Sequence, residues 1–330
     1  MTGMPGATGL LDISQDHDVL LERYAPRMGW QTVVRRLARE QAAAGMLEGF
    51  DLPWFHVEQL VNLPRLLRFI LRVSGLYQVG RNQGCRPEVV FHPVYHRKIS
   101  PALDGVRILH LTDIHADMSE ANLDAVIGMI RTLEYDAVVL TGDYRARTSG
   151  PWEAAAAGMK RLVSALRGPV VAVLGNHDPL VLGWALESMG VTVLMNEAVT
   201  LTLGNGHLAL AGVDDGHYFE TADIRHAFAQ ADSEHFCILL SHTPELYQQA
   251  AHVGVDVMLC GHTHGGQICL PGGVPIITES RCPRKLASGH WRWGGLEGYT
   301  SRGTGMSVLD VRLFCPPEIV IHELRSGMPP

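Results

Sequence analysis

The chain has 330 residues, 46% of them apolar and 18% charged, enough to bury one large domain or one domain with an appendage. A formal net charge of −7, with no basic run long enough to track a phosphate backbone, argues against a dedicated nucleic-acid binder. The six cysteines are scattered without a CxxC pair, and the chain does not begin with a basic and then apolar segment, so a reducing cytoplasm is expected.

Gly3, Pro5, Gly6 and Gly9 make the first 20 residues read as a flexible start. From Val19 to Ala44 the spacing of Leu20, Leu21, Tyr24, Met28, Val33 and Leu37 predicts helix, interrupted near Pro26. A second helical stretch, Val57 to Val79, has a broad apolar surface with Arg65, Arg68 and Arg72 at i, i+3 and i+7. Such a basic amphipathic helix suits the interface of an anionic membrane, or it packs on the domain with its arginines in water. Its uncharged run is far below the roughly 18 residues that span a bilayer.

Beyond a loop from Pro93 to Gly105 the rhythm becomes strand and helix in turn. Strands are predicted at Val106–Thr112, Ala137–Thr141 and Val170–Leu174, with helices at Met118–Leu133, Pro151–Leu166 and Leu180–Met189. This spacing indicates βαβ units and a largely parallel sheet. A hairpin follows, Val199–Leu203 and His207–Val213 about Gly204-Asn205-Gly206. Then come a helix at Thr221–Gln230, a strand at Cys237–Ser241, a helix at Pro244–His252 and a strand at Val255–Cys260. Met306–Leu313 and Ile319–Leu324 read as two closing strands. The extension thus covers residues 1–95, as a membrane-surface element or a lid, and the α/β domain residues 96–330.

Each buried strand of the α/β part ends in metal-binding chemistry. Asp113 and His115 follow the first, Gly142-Asp143 the second, and Gly175-Asn176-His177-Asp178 the third; His242 and the pair His262 and His264 follow the last two. In open α/β sheets the crevice beyond the carboxyl ends of the strands is where sites are built, so these residues can meet. Cys260 and Cys269 flank the histidine turn as further thiol ligands or as small core residues.

The ordered set Asp-x-His, Gly-Asp, Gly-Asn-His-Asp, His and Gly-His-x-His resembles that of the calcineurin-like metallophosphoesterases, over about residues 105–325. The resemblance implies a four-layer αββα sandwich of two mixed sheets. Leu239–Glu245 (LLSHTPE) and Cys260–Ile268 (CGHTHGGQI) are similar to the YkuE-like bacterial branch, near UDP-2,3-diacylglucosamine pyrophosphatase-type enzymes. By that resemblance two divalent ions, Mn²⁺, Fe²⁺ or Zn²⁺, are held: one by Asp113, His115, Asp143 and His264, the other by Asp143, Asn176, His242 and His262. A water acidified by both ions is the implied nucleophile. His177 would act at the phosphate with Asp178 holding its ring.

Arg145 or Arg147 is expected to grip a substrate phosphate, and either is otherwise a surface arginine. Tyr218, with Trp291 and Trp293, lies where a substrate rim is expected, and the tryptophans equally suit closing the core. The expected activity is hydrolysis of a phosphodiester or pyrophosphate on a lipid-linked or nucleotide-sugar headgroup, in the cytoplasm and at the inner membrane surface. The alternatives are a soluble nucleotide phosphodiesterase or nuclease, and a non-catalytic metal-binding scaffold.

Overall fold

The computed structural model describes residues 17–45, 63–232 and 234–329. The start read over residues 1–20 therefore lies mostly outside the described residues, as does the beginning of the helix read from Val57.

Two six-stranded mixed sheets face each other. The first comprises β1 (Glu88–His96), β2 (Arg107–Leu111), β3 (Ala137–Thr141), β4 (Val170–Val173), β5 (Thr192–Val193) and β14 (Glu318–Ser326), in the order β1-β14-β2-β3-β4-β5. The second comprises β6 (Glu197–Leu203), β7 (Gly206–Gly212), β8 (Cys237–Leu240), β9 (Val257–Cys260), β12 (Gly289–Trp293) and β13 (Leu296–Thr300), in the order β12-β13-β9-β8-β7-β6. A short ribbon pairs β10 (Cys269–Leu270) with β11 (Val274–Pro275).

Strand alternation assigns every apolar side chain to a layer. Ile108, Val139 and Val173 face Leu210, Leu240 and Leu259 between the sheets. Leu109, Leu111, Val138 and Leu140 face outward against α5 (Glu120–Ile130), α6 (Glu153–Val163) and α7 (Leu180–Ser188). Leu239 and Met258 of the second sheet face α8 (Ile224–Ala229) and α9 (Tyr247–Val253). The result is helix, sheet, sheet, helix, as expected.

Histidine also lies between the sheets. His92, His322 and His110 form a file, with His92 Nδ1 3.0 Å from His322 Nδ1 and His322 Nε2 3.2 Å from His110 Nδ1. His110 Nε2 ends the file 2.8 Å from the Thr141 hydroxyl. A neutral imidazole carries one proton, so all three bonds must run the same way.

The first helical stretch is two helices, α1 (His17–Met28) and α2 (Trp30–Gly45), separated at Gly29, whose φ of 83° suits glycine. Leu20, Tyr24 and Met28 bury one face of α1 at four-residue steps, and the Tyr24 hydroxyl donates to the Leu180 carbonyl. Arg36 of α2 is fully buried, ion-paired with Glu40 at 3.0 Å and Asp214 at 3.4 Å, and stacked on Phe219. Its guanidinium also donates to the Asp178 carbonyl. The second stretch breaks at Gly75 (φ 73°) into α3 (Leu63–Val73) and α4 (Leu76–Gly84).

Several elements differ from the sequence reading. The loop at Pro93 is part of β1, which pairs in parallel with β14 through nine residues, so the sheet reaches back into the stretch read as an extension. Pro93 is tolerated because β1 is an edge strand. Met306–Leu313 is not a strand: apart from an isolated bridge between Leu313 and Ile268, its apolar residues Leu309, Val311 and Leu313 pack under α3 and α4. Between Arg281 and Gly295, β12 turns at Gly294-Gly295 into β13, a hairpin the tryptophans and glycines concealed.

Candidate metal centre

Five parallel strands of the two sheets end on one side of the sandwich, and the loops leaving them carry the candidate ligands. From β2 come Asp113 and His115, from β3 Asp143, from β4 Asn176 and His177, from β8 His242, and from β9 His262 and His264. Two donor groups form: Asp113, His115 and His264, and Asp143, His242 and His262. In the first, His264 Nε2 lies 3.2 Å from His115 Nε2 and 3.3 Å from Asp113 Oδ1. In the second, His242 Nε2 lies 3.2 Å from both Asp143 Oδ2 and His262 Nδ1, and 3.0 Å from Asn176 Oδ1. The set of seven predicted ligands is thus brought together, and every one is buried.

The loops are built for these residues. Asp113, His115, Asp143, His262 and His264 all have φ between 43° and 72°, a region that costs energy for a side chain and clusters at functional sites. Two glycines keep the interior open: a Cβ on Gly175 would lie 2.2 Å from Asp143 Oδ1, and one on Gly261 2.3 Å from Asp113 Oδ2. His115 Nδ1 donates to the Arg145 carbonyl at 2.7 Å and His242 Nδ1 to the Thr141 carbonyl at 2.8 Å, which leaves each Nε2 lone pair for a cation.

Electrostatics agree with a cation site. Burial alone would lower the His242 pKa, but Asp143, with Asp113 and Asp215 behind it, raises it to about 10, so a cation at Nε2 would take the place of a proton there. Burial opposes ionisation of Asp143, yet His242 and His177 hold its pKa well below the ordinary carboxylate value. Burial raises the Asp113 pKa, and lowers those of His262 and His264. Nitrogen and oxygen donors without thiolate are the mixed set that first-row divalent cations accept, so the residues fit two such ions. Cys260 and Cys269 belong to neither group: burial pushes both thiols up, and they lie against Thr300 and the Gly265 carbonyl.

Other expected residues fall differently. Asp178 does not orient the His177 ring: Oδ2 accepts the N–H groups of Asp143 and Gly175, and Oδ1 those of Tyr144 and Arg145. Thr148 takes that place, its hydroxyl 3.0 Å from His177 Nδ1. His177 Nε2 is 3.6 Å from Asp143 Oδ2, and burial lowers the His177 pKa to about 4. Arg145 is not a phosphate grip, because its guanidinium is buried and donates to the carbonyls of His177, Gly150 and Thr148. Arg147 is exposed. Tyr218 is half-buried, its backbone tied to Asp215 and Arg39. Trp291 and Trp293 close the core, Trp291 donating to Thr300 and Trp293 packing edge-on against Tyr247.

Arg312 carried no signal in the sequence, and His217 and Glu245 stood there only as a member of the expected rim and the end of the LLSHTPE motif. Arg312, fully buried, donates to the His264 carbonyl at 2.9 Å and sits 3.1 Å from His264 Nδ1. His217 and Glu245 pair at 3.1 Å next to His262, with the His217 and His262 rings 4.3 Å apart. His262 Nε2, buried, has no hydrogen-bond partner among the described residues, and His262 belongs to a third donor group with those two.

Two donor groups at the carboxyl ends of facing mixed sheets form a candidate site for divalent metal ions, the arrangement a metal-dependent hydrolase needs. The calcineurin-like phosphoesterase model matches residues 106–266. The chain belongs to that family and is a hydrolase of phosphoester bonds. It is 30% identical over 248 residues to the uncharacterised metallophosphoesterase YkuE of Bacillus subtilis strain 168, covering 72% of this chain and 86% of YkuE. It is 26% identical to YkoQ of the same organism, covering 78% of this chain and 97% of YkoQ. Phosphodiesterase YaeI of Escherichia coli K12 is 32% identical over 166 residues, 47% of this chain and 58% of YaeI.

Proposed function

We propose that the chain hydrolyses a phosphodiester or pyrophosphate, with a lipid-linked or nucleotide-sugar headgroup as its substrate class and two Mn²⁺, Fe²⁺ or Zn²⁺ ions as cofactors. The observation that carries this reading is the meeting of the Asp143 carboxylate, a member of the second donor group, with His177 Nε2 at 3.6 Å. When bound, the ions supply Lewis acidity at the phosphoryl oxygens and lower the pKa of the attacking water. The protein does the rest by position.

Asp113 in the first donor group and Asp143 in the second would supply the negative charge that holds the ions. His177 is neutral near pH 7, because burial lowers its pKa to about 4. With the Thr148 hydroxyl donating to Nδ1, its proton stands at Nε2, where it meets the leaving oxygen. Arg147 and Tyr218 are the remaining groups offered to the substrate beyond the phosphate. The diester preference draws support from YaeI, a relative named as a phosphodiesterase.

The test is turnover of bis-p-nitrophenyl phosphate against p-nitrophenyl phosphate with added Mn²⁺, in the natural chain and in Asp143→Ala and His177→Ala. Metal-dependent turnover of the diester, lost in both variants, is the expected result. A preference for the monoester would sink the diester reading. Acylated and unacylated nucleotide-sugar pyrophosphates then decide between the two headgroup classes.

A further inference from the structure

The helix pair α3 and α4 shows an unusual face. Leu66, Phe69, Ile70 and Val73 stand at i, i+3, i+4 and i+7 on α3, and all are at least half exposed. Val73, at the break before Gly75, is 72% exposed, and Leu76 and Val79 continue the surface on α4 at 42% and 55%. The helix pair has a separate anchoring side, because Leu71 is buried with Leu309, Val311 and Leu313 and Leu67 packs against them. The outward stripe is therefore not the core side of the helix left uncovered.

A second apolar element lies alongside. The β10–β11 hairpin and the residues after it expose Leu270, Val274, Ile276 and Ile277, each by more than half. Leu313 and Phe314 join the two elements: the Leu313 carbonyl accepts from Cys269 N, and Phe314 N donates to the Gln83 side chain of α4, while Phe314 itself is 49% exposed. The hairpin also rests on the metal-ligand turn, since a Cβ on Gly266 would meet Pro275 at 2.5 Å and the Ile277 carbonyl at 2.9 Å.

Charge selects the occupant. In a chain with a net charge of −7, residues 63–87 hold five arginines and no acidic residue, and residues 267–278 hold no charge at all. Arg68 and Arg81 are drawn to Asp310 and fasten the helices to the protein. Arg65 and Arg72 are exposed at the border of the stripe, Arg72 with its guanidinium 5.0 Å above the Tyr77 ring. Exposed large apolar side chains with arginines beside them match the acyl boundary and the phosphate layer of an anionic bilayer.

We propose that α3, α4, the β10–β11 hairpin and Phe314 form one docking face for an anionic lipid surface, which brings the rim of the metal centre to the headgroups. No helix among the described residues is long and apolar enough to cross a membrane. This face stands independently of the substrate reading above.

The experiment is flotation of the whole chain with phosphatidylcholine vesicles, with and without phosphatidylglycerol. The natural chain is expected to float with the anionic vesicles and to be released by raised salt. Phe69→Ser with Val73→Ser should lower the bound fraction by about tenfold or more, from the apolar area each residue loses. Val274→Ser with Ile276→Ser should do the same, and Arg65→Gln with Arg72→Gln should weaken binding to anionic vesicles alone. Turnover of the soluble diester unchanged in the Phe69 and Val73 variant shows an intact fold.

Failure of the natural chain to float, or equal flotation of the apolar variants, overturns the proposal. So does a dimer, by light scattering, that the Phe69 and Val73 variant splits while neither form binds vesicles. Flotation without diester turnover leaves the docking face standing and removes the hydrolytic reading instead.

Discussion

The Asp178 carboxylate accepts the backbone N–H of Asp143 at 2.7 Å, so one acid of the site holds the loop that presents the other. Its remaining lone pairs take N–H groups of Tyr144, Arg145 and Gly175. Asp178→Ala should therefore cost about 4 kcal/mol, since each buried N–H left unsatisfied costs roughly 1–3 kcal/mol. Metal content should fall with it, measured by elemental analysis beside a thermal melt. Full metal content and an unchanged melt with slow turnover would return Asp178 to the role of ring holder.

Arg145 predicts a different pattern. Its three donor nitrogens bind the carbonyls that frame His177 and Thr148, and a lysine can reproduce only part of that fork. Arg145→Lys should lower the melting temperature and kcat while KM for the diester changes by less than about twofold. A raised KM with an unchanged melt would mean that the guanidinium reaches substrate.

Gly175→Ala tests the space around the Asp143 carboxylate. The added Cβ would fall 2.2 Å from Asp143 Oδ1, so either the carboxylate or the loop must shift. Metal binding should be weakened, and thermal stabilisation by added Mn²⁺ should shrink accordingly. Retention of two ions per chain would show that the loop yields without moving Asp143.

The histidine file between the sheets makes the fold sensitive to acid. From an ordinary value of 6.5, burial lowers His92 to about 4 and His110 to about 3, and burial with the neighbouring imidazoles lowers His322 well below its ordinary value. Below pH 6.5 the unfolded chain takes up protons that the folded chain refuses, so stability falls as pH drops from there towards 4. Each group contributes up to about 1.4 kcal/mol per pH unit across that window. Urea midpoints followed from neutral to acid pH should drop less steeply in His322→Gln; identical slopes would mean the file is not the sensor.

The ligand positions were legible because a buried strand ending in Asp or His is a short-range pattern, and five such endings recur in order. The layer arrangement followed from the same strands. What stayed hidden depends on long-range contact: β1 finds β14 more than 200 residues away, and nothing local in Glu88–His96 announces an edge strand containing Pro93. Met306–Leu313 alternates like a strand, yet its apolar residues serve the helix pair instead. Arg145 carries the same charge whether it meets phosphate or carbonyls, and only the path of the loop at Thr148 and Gly150 decides.

The left-handed backbone at Asp113, His115, Asp143, His262 and His264 also constrains how this chain can change through descent. Glycine, asparagine, aspartate and histidine adopt that conformation more readily than valine, isoleucine and threonine. Drift at these positions is channelled towards Asn and Gly, which preserve the loops while removing a ligand. Loss of the chemistry by such a change would keep the shape of the vessel, and would be read from which donors have gone rather than from a collapsed fold.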